Sequence, residues 1–180
     1  MSIKVGFIGI GIMGRPMAGH LVKGGHELFT FSRRGLSIPG ATACKSICEV
    51  AQNGDVIITM LPDTPDVAAV LFGEGGVASG LTKGKTVVDM SSIAPTETKR
   101  FAARVRQLGC EYLDAPVSGG EVGAKAASLT IMVGGTEETF NRVRPLLELM
   151  GKNITLIGEN GTGQICKVAN QIIVAATIQA

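Results

Sequence analysis

The sequence predicts a doubly wound α/β domain on a mainly parallel sheet. Two observations carry this: short apolar runs ending in glycine or a small polar residue, and segments of helical period alternating with them along the chain. Ile3–Ile8 is the first such run and ends on glycine, as a strand buried on both faces should. Residues 12–23 follow with Met13, Met17 and Leu21 on one helical face, and Glu27–Ser32 is the second strand. Asp55–Leu61 and Thr86–Met90 are the third and fourth. Glu111–Ala115, Leu129–Val133 and Ile154–Ile157 complete the set. Helices are expected at Pro65–Phe72, Pro95–Leu108 and Glu137–Met150, two of them with proline in the first turn. Strand–helix–strand repetition implies right-handed crossovers.

The last segment breaks the pattern. From Ile165 onward, ICKVANQIIVAATIQA is helical in propensity and apolar on most faces, with no Gly, Asn or Pro stop signal. A helix apolar nearly all round is expected to be buried, so either a partner chain covers it or the polypeptide continues in nature. The second expectation is favoured. Residues 1–163 are thus read as one domain and 164–180 as the start of a long helix leading out of it.

Composition narrows the function. With 45% hydrophobic and 18% charged residues the 180-residue chain is globular, and 17 basic against 15 acidic residues gives a net charge of +2. That balance, without a basic run, argues against nucleic acid or an anionic membrane as partner. No apolar stretch approaches the roughly 18 residues of a membrane span, and MSIKVGFIGIG reads as strand and turn, not as a signal peptide. A cytoplasmic setting is expected. Cys44, Cys48, Cys110 and Cys166 form no CxxC pair, and His20 and His26 are not at ligand spacing, so no metal site and reduced thiols are expected.

Gly9-Ile10-Gly11-Ile12-Met13-Gly14 is GxGxxG, placed after a strand and opening a helix. The first glycine permits a tight turn, the second a close approach of backbone to pyrophosphate, and the third close helix–strand packing. The helix N-terminus offers free N–H groups to the anion. At the end of the second strand a ribose-binding acid would be expected, yet Phe31-Ser32-Arg33-Arg34 stands there. Ser32 and Arg33 can hydrogen-bond and neutralise a 2′-phosphate, so NADP(H) is favoured over NAD(H). Met60-Leu61-Pro62 and Ser91-Ser92 end the third and fourth strands and should face the cofactor, whereas Asp89 reads equally well as a lining residue or a strand-end acid.

Ser118-Gly119-Gly120 can expose backbone N–H groups in a nest for a carboxylate. With no histidine nearby, Ser118 is no activated nucleophile. Lys167 stands early in the final helix behind Gly158, Gly161 and Gly163, and Asn170 and Gln171 share its face. Its apolar neighbours Val168, Ala169 and Ile172–Ala176 leave little solvated face, which suits a proton donor of adjustable pKa.

The segments GFIGIGIMGRPMAGHL, DVIITMLPDTPDV, VVDMSSIAPTETKRFA, YLDAPVSGGEVGAKAASLTIMVGG and GKNITLIGENGTGQICKVANQIIVA resemble the β-hydroxyacid dehydrogenase family over nearly the whole chain. The resemblance implies a Rossmann-type domain and hydride transfer between a nicotinamide dinucleotide and a small 3-oxo or 3-hydroxy acid. Within the family it is strongest to the branch that reduces tartronate semialdehyde to D-glycerate, with 3-hydroxyisobutyrate oxidation as the alternative. It assigns Gly9, Gly11 and Gly14 to the cofactor, with Leu61, Pro62 and Ser92 beside it; Ile12 and Met13 inside the glycine motif and Ser32, Arg33 and Met60 at the strand ends are expected there too. Ser118, Gly119, Gly120 and Asn170 fall to the substrate and Lys167 to catalysis. It further implies an all-helical C-terminal domain, not present in these residues, that completes the site and joins subunits into a homo-oligomer. Ala127 stands where the family usually has glycine, and Thr177 where the branch often has asparagine. A dinucleotide-binding regulatory module without turnover is the reading of another class.

Overall fold

The computed structural model describes residues 2–180. In chain order the elements are β1 (Lys4–Ile8), α1 (Gly14–Lys23), β2 (Glu27–Phe31), β3 (Thr42–Ala43), α2 (Ile47–Asn53), β4 (Val56–Thr59) and α3 (Thr64–Phe72). A 3₁₀ turn at Val77–Ser79 precedes β5 (Thr86–Asp89), α4 (Pro95–Gln107), β6 (Glu111–Asp114), β7 (Val117–Ser118) and α5 (Gly120–Lys125). The chain closes with β8 (Leu129–Gly134), α6 (Glu137–Leu147), β9 (Gly151–Gly158) and α7 (Thr162–Gln179). The strands form one sheet in the order β3-β2-β1-β4-β5-β6-β8-β7, with β9 paired to β8. From β3 to β6 every pairing is parallel; β8 runs antiparallel to β6 and β7. The order reverses between β1 and β4, the switch point where a doubly wound sheet opens a crevice at its carboxyl ends.

Alternate residues of the central strands feed two cores. Val5, Phe7, Val56, Ile58, Val88 and Leu113 meet α1 and α6 on one face, while Ile8, Ile57, Val87 and Tyr112 meet α2, α3 and α4 on the other. That is the doubly wound arrangement the alternation predicts. The caps are local: Asp63 accepts from the Thr64 N–H at 2.7 Å ahead of Pro65, and Thr136 accepts from the Thr139 N–H at 3.3 Å. The ends of β2, β4, β5 and β6 fall one or two residues inside the expected limits, because the last residue of each run already turns into the carboxyl-end loops. By contrast β8 runs one residue further, and β9 spans Gly151–Gly158 against the expected Ile154–Ile157.

Four elements were not expected. The two-residue strands β3 and β7 are too short to carry a period, and α5 is a single short helix rich in glycine. The helix α2 did leave a signal. Ser46 accepts from the Glu49 N–H at 3.1 Å while Glu49 accepts from the Lys45 N–H at 2.6 Å, and Ser-x-x-Glu is a helix-start signature.

Within the described residues α7 is left uncovered on most of its faces, as expected of an apolar helix whose cover is not supplied by the domain itself. Gly163, Gln164 and Lys167 are its buried residues, whereas Ile165, Val168, Ile172, Ile173 and Ile178 are exposed. Only its first turns touch the sheet, so the helix buries one narrow side and presents its apolar side outward. The same fact reverses the reading of Lys167: it is shielded by the sheet end, not by Val168, which is 48% exposed.

Ala127 closes the α5–β8 turn with φ of 52°, the left-handed region that disfavours a Cβ. Ala127→Gly is expected to raise stability by about 1 kcal/mol, checked by chemical denaturation. An unchanged or lowered midpoint would mean that the turn is not strained.

Candidate active site

One cavity of about 690 Å³ opens at the carboxyl ends of β1, β2, β4 and β5. Its walls include Gly9, Gly11, Ile12, Met13 and Gly14 after β1, Ser32 and Arg33 after β2, Met60, Leu61 and Pro62 after β4, and Ser92 after β5. The cavity therefore gathers the residues expected at the cofactor except Ser91, which is fully buried and does not line it. Leu36, Ile47, Asp66 and Val70 line it too; sequence reasoning missed them, because they come from a loop and from faces of α2 and α3 with no motif of their own.

The three motif glycines differ in what they tolerate. A Cβ on Gly9, whose φ is 99°, would overlap the Met60 carbonyl, and one on Gly14 would overlap the Gly9 carbonyl. Those two are required by the protein itself. A Cβ on Gly11 would meet nothing within 4 Å, so the space beside it is free for a ligand to approach the backbone. No side chain caps α1 and its first turn carries no acid, leaving free N–H groups and a partial positive charge at the cavity. This cradle fits a pyrophosphate. At the rim, the Ser32 Oγ accepts from the N–H groups of Arg34 at 3.2 Å and Leu36 at 3.3 Å, which fixes the loop while its own O–H remains a donor. Arg33 and Arg34 are exposed there.

Behind the cavity lies Asp89, fully buried at the end of β5, which decides between its two readings: it does not line the site but supports it. It accepts from the Thr59 hydroxyl at 2.8 Å, the Ser91 N–H at 3.1 Å and the Tyr112 hydroxyl at 3.2 Å. Burial pushes its carboxyl up to about 6 against these bonds. Ser91 in turn accepts from the Leu61 N–H at 2.9 Å, joining the β4 and β5 loops.

A second group of residues collects beyond β6. Asp114 ends that strand, wholly buried, and accepts from the N–H groups of Gly161 at 2.8 Å and Gln164 at 3.1 Å, so it holds the first turn of α7. Burial pushes this carboxyl up as well. Lys167, one turn on, is 8% exposed, and desolvation lowers its pKa below the ordinary lysine value. The ion pairs among the described residues, Glu97–Arg100, Glu121–Lys125 and Glu148–Arg144, all lie elsewhere. Asn170, half-buried on the next turn, places its Nδ2 3.5 Å from the Ser118 Oγ. Gly119 and Gly120 follow with φ of 128° and 59°, exposed and without a side-chain cap, at the start of α5. Asn170 and Ser118 thus meet, with Lys167 three residues before Asn170 on α7, although none of them lines the dinucleotide cavity. Gln171, expected on the same face, is exposed.

The histidines serve the frame. His20 Nε2 lies 2.9 Å from the Ala124 carbonyl, tying α1 to α5, and His26 Nδ1 accepts from the Ile3 N–H at 3.1 Å. The cysteines are all free. No helix is long and apolar enough to cross a membrane, and no group of three or more His, Cys, Asp or Glu is placed to hold a metal ion, among the described residues.

A family profile described as the NAD binding domain of 6-phosphogluconate dehydrogenase matches residues 4–158. The chain belongs to that family. A 2-hydroxy-3-oxopropionate reductase of Escherichia coli (strain K12) is 57% identical over 99% of this chain and 62% of that protein. A solved 3-hydroxyisobutyrate dehydrogenase of Mycobacterium tuberculosis, with L-serine, is 36% identical at a TM-score of 0.90, covering 97% of this chain and 61% of that one. A third structure, Psf3 in complex with NADP+ and 2-OPP, is 28% identical at a TM-score of 0.85, over 98% of this chain and 68% of that chain. The chain spans about three-fifths of the length of the first two. The family and its Rossmann-type fold bear out the resemblance read from the motifs, and the domain is one that binds a nicotinamide dinucleotide.

The cradle yields a direct contrast. Gly11→Val should raise the Kd for the dinucleotide at least about tenfold and leave the melting temperature unchanged, measured by fluorescence titration and calorimetry. Gly14→Ala should instead cost about 1–3 kcal/mol of stability by overpacking. If Gly11→Val were the variant that lost stability, the open cradle would be wrong. For Asp89 the folded pKa lies above the unfolded one. Its neutral form therefore stabilises the fold fully below about 3.8, and that stabilisation is lost as pH rises through about 6. The swing is on the order of 3 kcal/mol. Asp89→Asn should remove this part of the pH dependence of unfolding free energy, leaving that of Asp114. An unaltered slope between pH values of about 4 and 6 would put the carboxyl in the wrong state.

Proposed function

We propose that the protein reduces tartronate semialdehyde to D-glycerate, with Lys167 as the acid. The observation that carries the reading is the placement of Lys167: a buried ammonium, in no ion pair among the described residues, three residues before Asn170, whose Nδ2 meets the Ser118 hydroxyl. The 57% identity to a 2-hydroxy-3-oxopropionate reductase supports the choice of substrate. A bound nicotinamide dinucleotide supplies a hydride to the aldehyde carbon. Lys167 Nζ gives its proton to the carbonyl oxygen as negative charge develops there, turning aldehyde into alcohol and leaving a neutral amine that water reprotonates. The Gly119 and Gly120 N–H groups, with the Ser118 hydroxyl, hold the substrate carboxylate. Asn170 holds the reacting end beside the lysine.

NADPH is favoured over NADH in this reading. The strand-end acid that would bind a ribose and repel a 2′-phosphate is absent, while the Ser32 loop and the exposed Arg33 offer a hydroxyl and a guanidinium instead. Residues 164–180 are read as the start of a helix leading into a second, helical domain that completes the pocket and joins subunits; the exposed Ile172, Ile173 and Ile178 support this. The second reading, 3-hydroxyisobutyrate dehydrogenase, is favoured by the likeness to the Mycobacterium tuberculosis enzyme and uses the same residues on a methyl-bearing substrate.

The test is nucleotide consumption by the whole gene product with tartronate semialdehyde and, in parallel, methylmalonate semialdehyde, each with NADPH and NADH. Consumption with the first aldehyde and NADPH is expected; turnover of the second alone would establish the second reading. Lys167→Ala should lower kcat about a thousandfold and change the Kd for NADPH less than about threefold. Because burial lowers the Lys167 pKa, reduction should weaken and oxidation strengthen as pH rises through that lowered value. Profiles that are flat in both directions would remove Lys167 from the proton transfer.

A further inference from the structure

Gln164 is 1% exposed and lies on the turn of α7 before Lys167. Its Oε1 accepts from the Ile93 N–H at 3.1 Å, and its Nε2 donates to the Ser91 carbonyl at 2.7 Å. One amide thus grips the backbone on both sides of Ser92, the residue through which the β5–α4 loop lines the dinucleotide cavity. The same loop is tied to a second wall of that cavity, because the Ser91 Oγ accepts from the N–H of Leu61, which lines it. Among the described residues, no other α7 side chain hydrogen-bonds this loop. Three residues later, a rise of about 4.5 Å along the helix, stands Lys167. Both polar ends of the amide are engaged in a dry setting, and only an amide or a protonated acid offers one acceptor and one donor at that spacing.

We propose that Gln164 is a positioning residue that couples the dinucleotide-side loop to the helix carrying Lys167. Ordering of the Ser91–Ile93 loop by a dinucleotide is transmitted through the two amide bonds to the first turns of α7, and so fixes the Lys167 Nζ relative to the reacting carbon. The inference deepens the proposed function and rests on its assignment of Lys167, but the coupling itself can be read without turnover. Coupling of this kind is mutual: whatever fixes α7 also favours the bound form of the loop.

The test uses Gln164→Leu, similar in size but unable to bond, and Gln164→Glu, which restores donor and acceptor only when protonated. Hydrogen exchange of residues 162–170 is followed with and without NADPH. In the parent protein NADPH should slow this exchange about tenfold or more, and in Gln164→Leu the slowing should disappear while exchange in α1 still responds. In turnover at saturating NADPH, Gln164→Leu should lower kcat about ten- to a hundredfold, with the Kd for NADPH rising by no more than the roughly tenfold that the mutual coupling allows. The ratio of Gln164→Glu to parent kcat should rise as pH falls from about 7.5 to about 6, because a buried carboxyl protonates in that range. The charged or titratable groups around the position, Asp114 at its N–H, Asp89 beyond Ser91, Tyr112 beyond Asp89, Lys99 packed by Gly161 and Lys167 itself, are common to both proteins and cancel in the ratio. NADPH protection of 162–170 that survives in Gln164→Leu would overturn the coupling, as would a flat ratio for Gln164→Glu. A parent protein that shows the protection but turns over neither aldehyde would sink the proposed reaction and leave the coupling standing.

Discussion

The site depends first on where Asp114 puts the start of α7. This carboxylate has no exposure, ends the last parallel strand of the central run, and takes the N–H groups of Gly161 and Gln164. A buried carboxyl is costly unless its oxygens are satisfied, and the unpaired N–H groups of a helix start are costly unless something accepts from them. Each need meets the other. The fit leaves no room: a Cβ on Gly134 or on Gly163 would press on the Asp114 oxygens. Asn160 completes the joint, donating to the carbonyls of Tyr112 at 2.8 Å and Gly134 at 3.2 Å and accepting from Arg106. With the first turn fixed so closely, the side chains at 164, 167 and 170 have settled directions before any packing of the rest of the helix.

That constraint explains an arrangement of α7 which hydrophobicity alone would reject. Its aliphatic residues point outward, while an amide and an ammonium occupy the buried side. Burial of Gln164 costs little because both ends of its amide are bonded. Burial of Lys167 is different: nothing in the described residues neutralises it, and desolvation is the sole cause lowering its pKa. A charged group held this way gains when a negative charge forms beside it, as it would on the oxygen of a carbonyl undergoing reduction in the proposed reaction.

The fold was legible where period and length are large. The β1 run, the GxGxxG turn and the long amphipathic helices α4 and α6 all announce themselves within one window of sequence. The site was legible only where a motif concentrates it. Gly9 to Gly14 and Ser118 to Gly120 are contiguous, whereas Asp66, Ile47 and Gln164 come from distant turns and share a cavity or a joint only after folding. Asp89 illustrates the limit. Its position at a strand end was readable, but its three bonds come from Thr59, Ser91 and Tyr112, on two other strands and a loop, so its burial could not be. Lys167 was singled out for a reason the structure reverses: the apolar residues around it in sequence face solvent, and the lysine is the residue that turns in.

The two halves of the site answer to different physics, and this shapes how they can work together. The dinucleotide cavity is made by backbone: an uncapped helix, two glycines that cannot carry a Cβ, and one that leaves its space open. Backbone of that kind is rigid and nearly indifferent to pH. The lysine side is made by buried polar side chains whose protonation and bonding can change. A reaction that moves a hydride from one half and a proton from the other requires the distance between them to be fixed to a fraction of an ångström. Apolar packing between α7 and the β5–α4 loop could hold that distance but not its register, since methyl groups slide where hydrogen bonds do not. Two opposed bonds from a single planar amide remove that freedom, and so the joint falls on a glutamine and not on one of the isoleucines beside it.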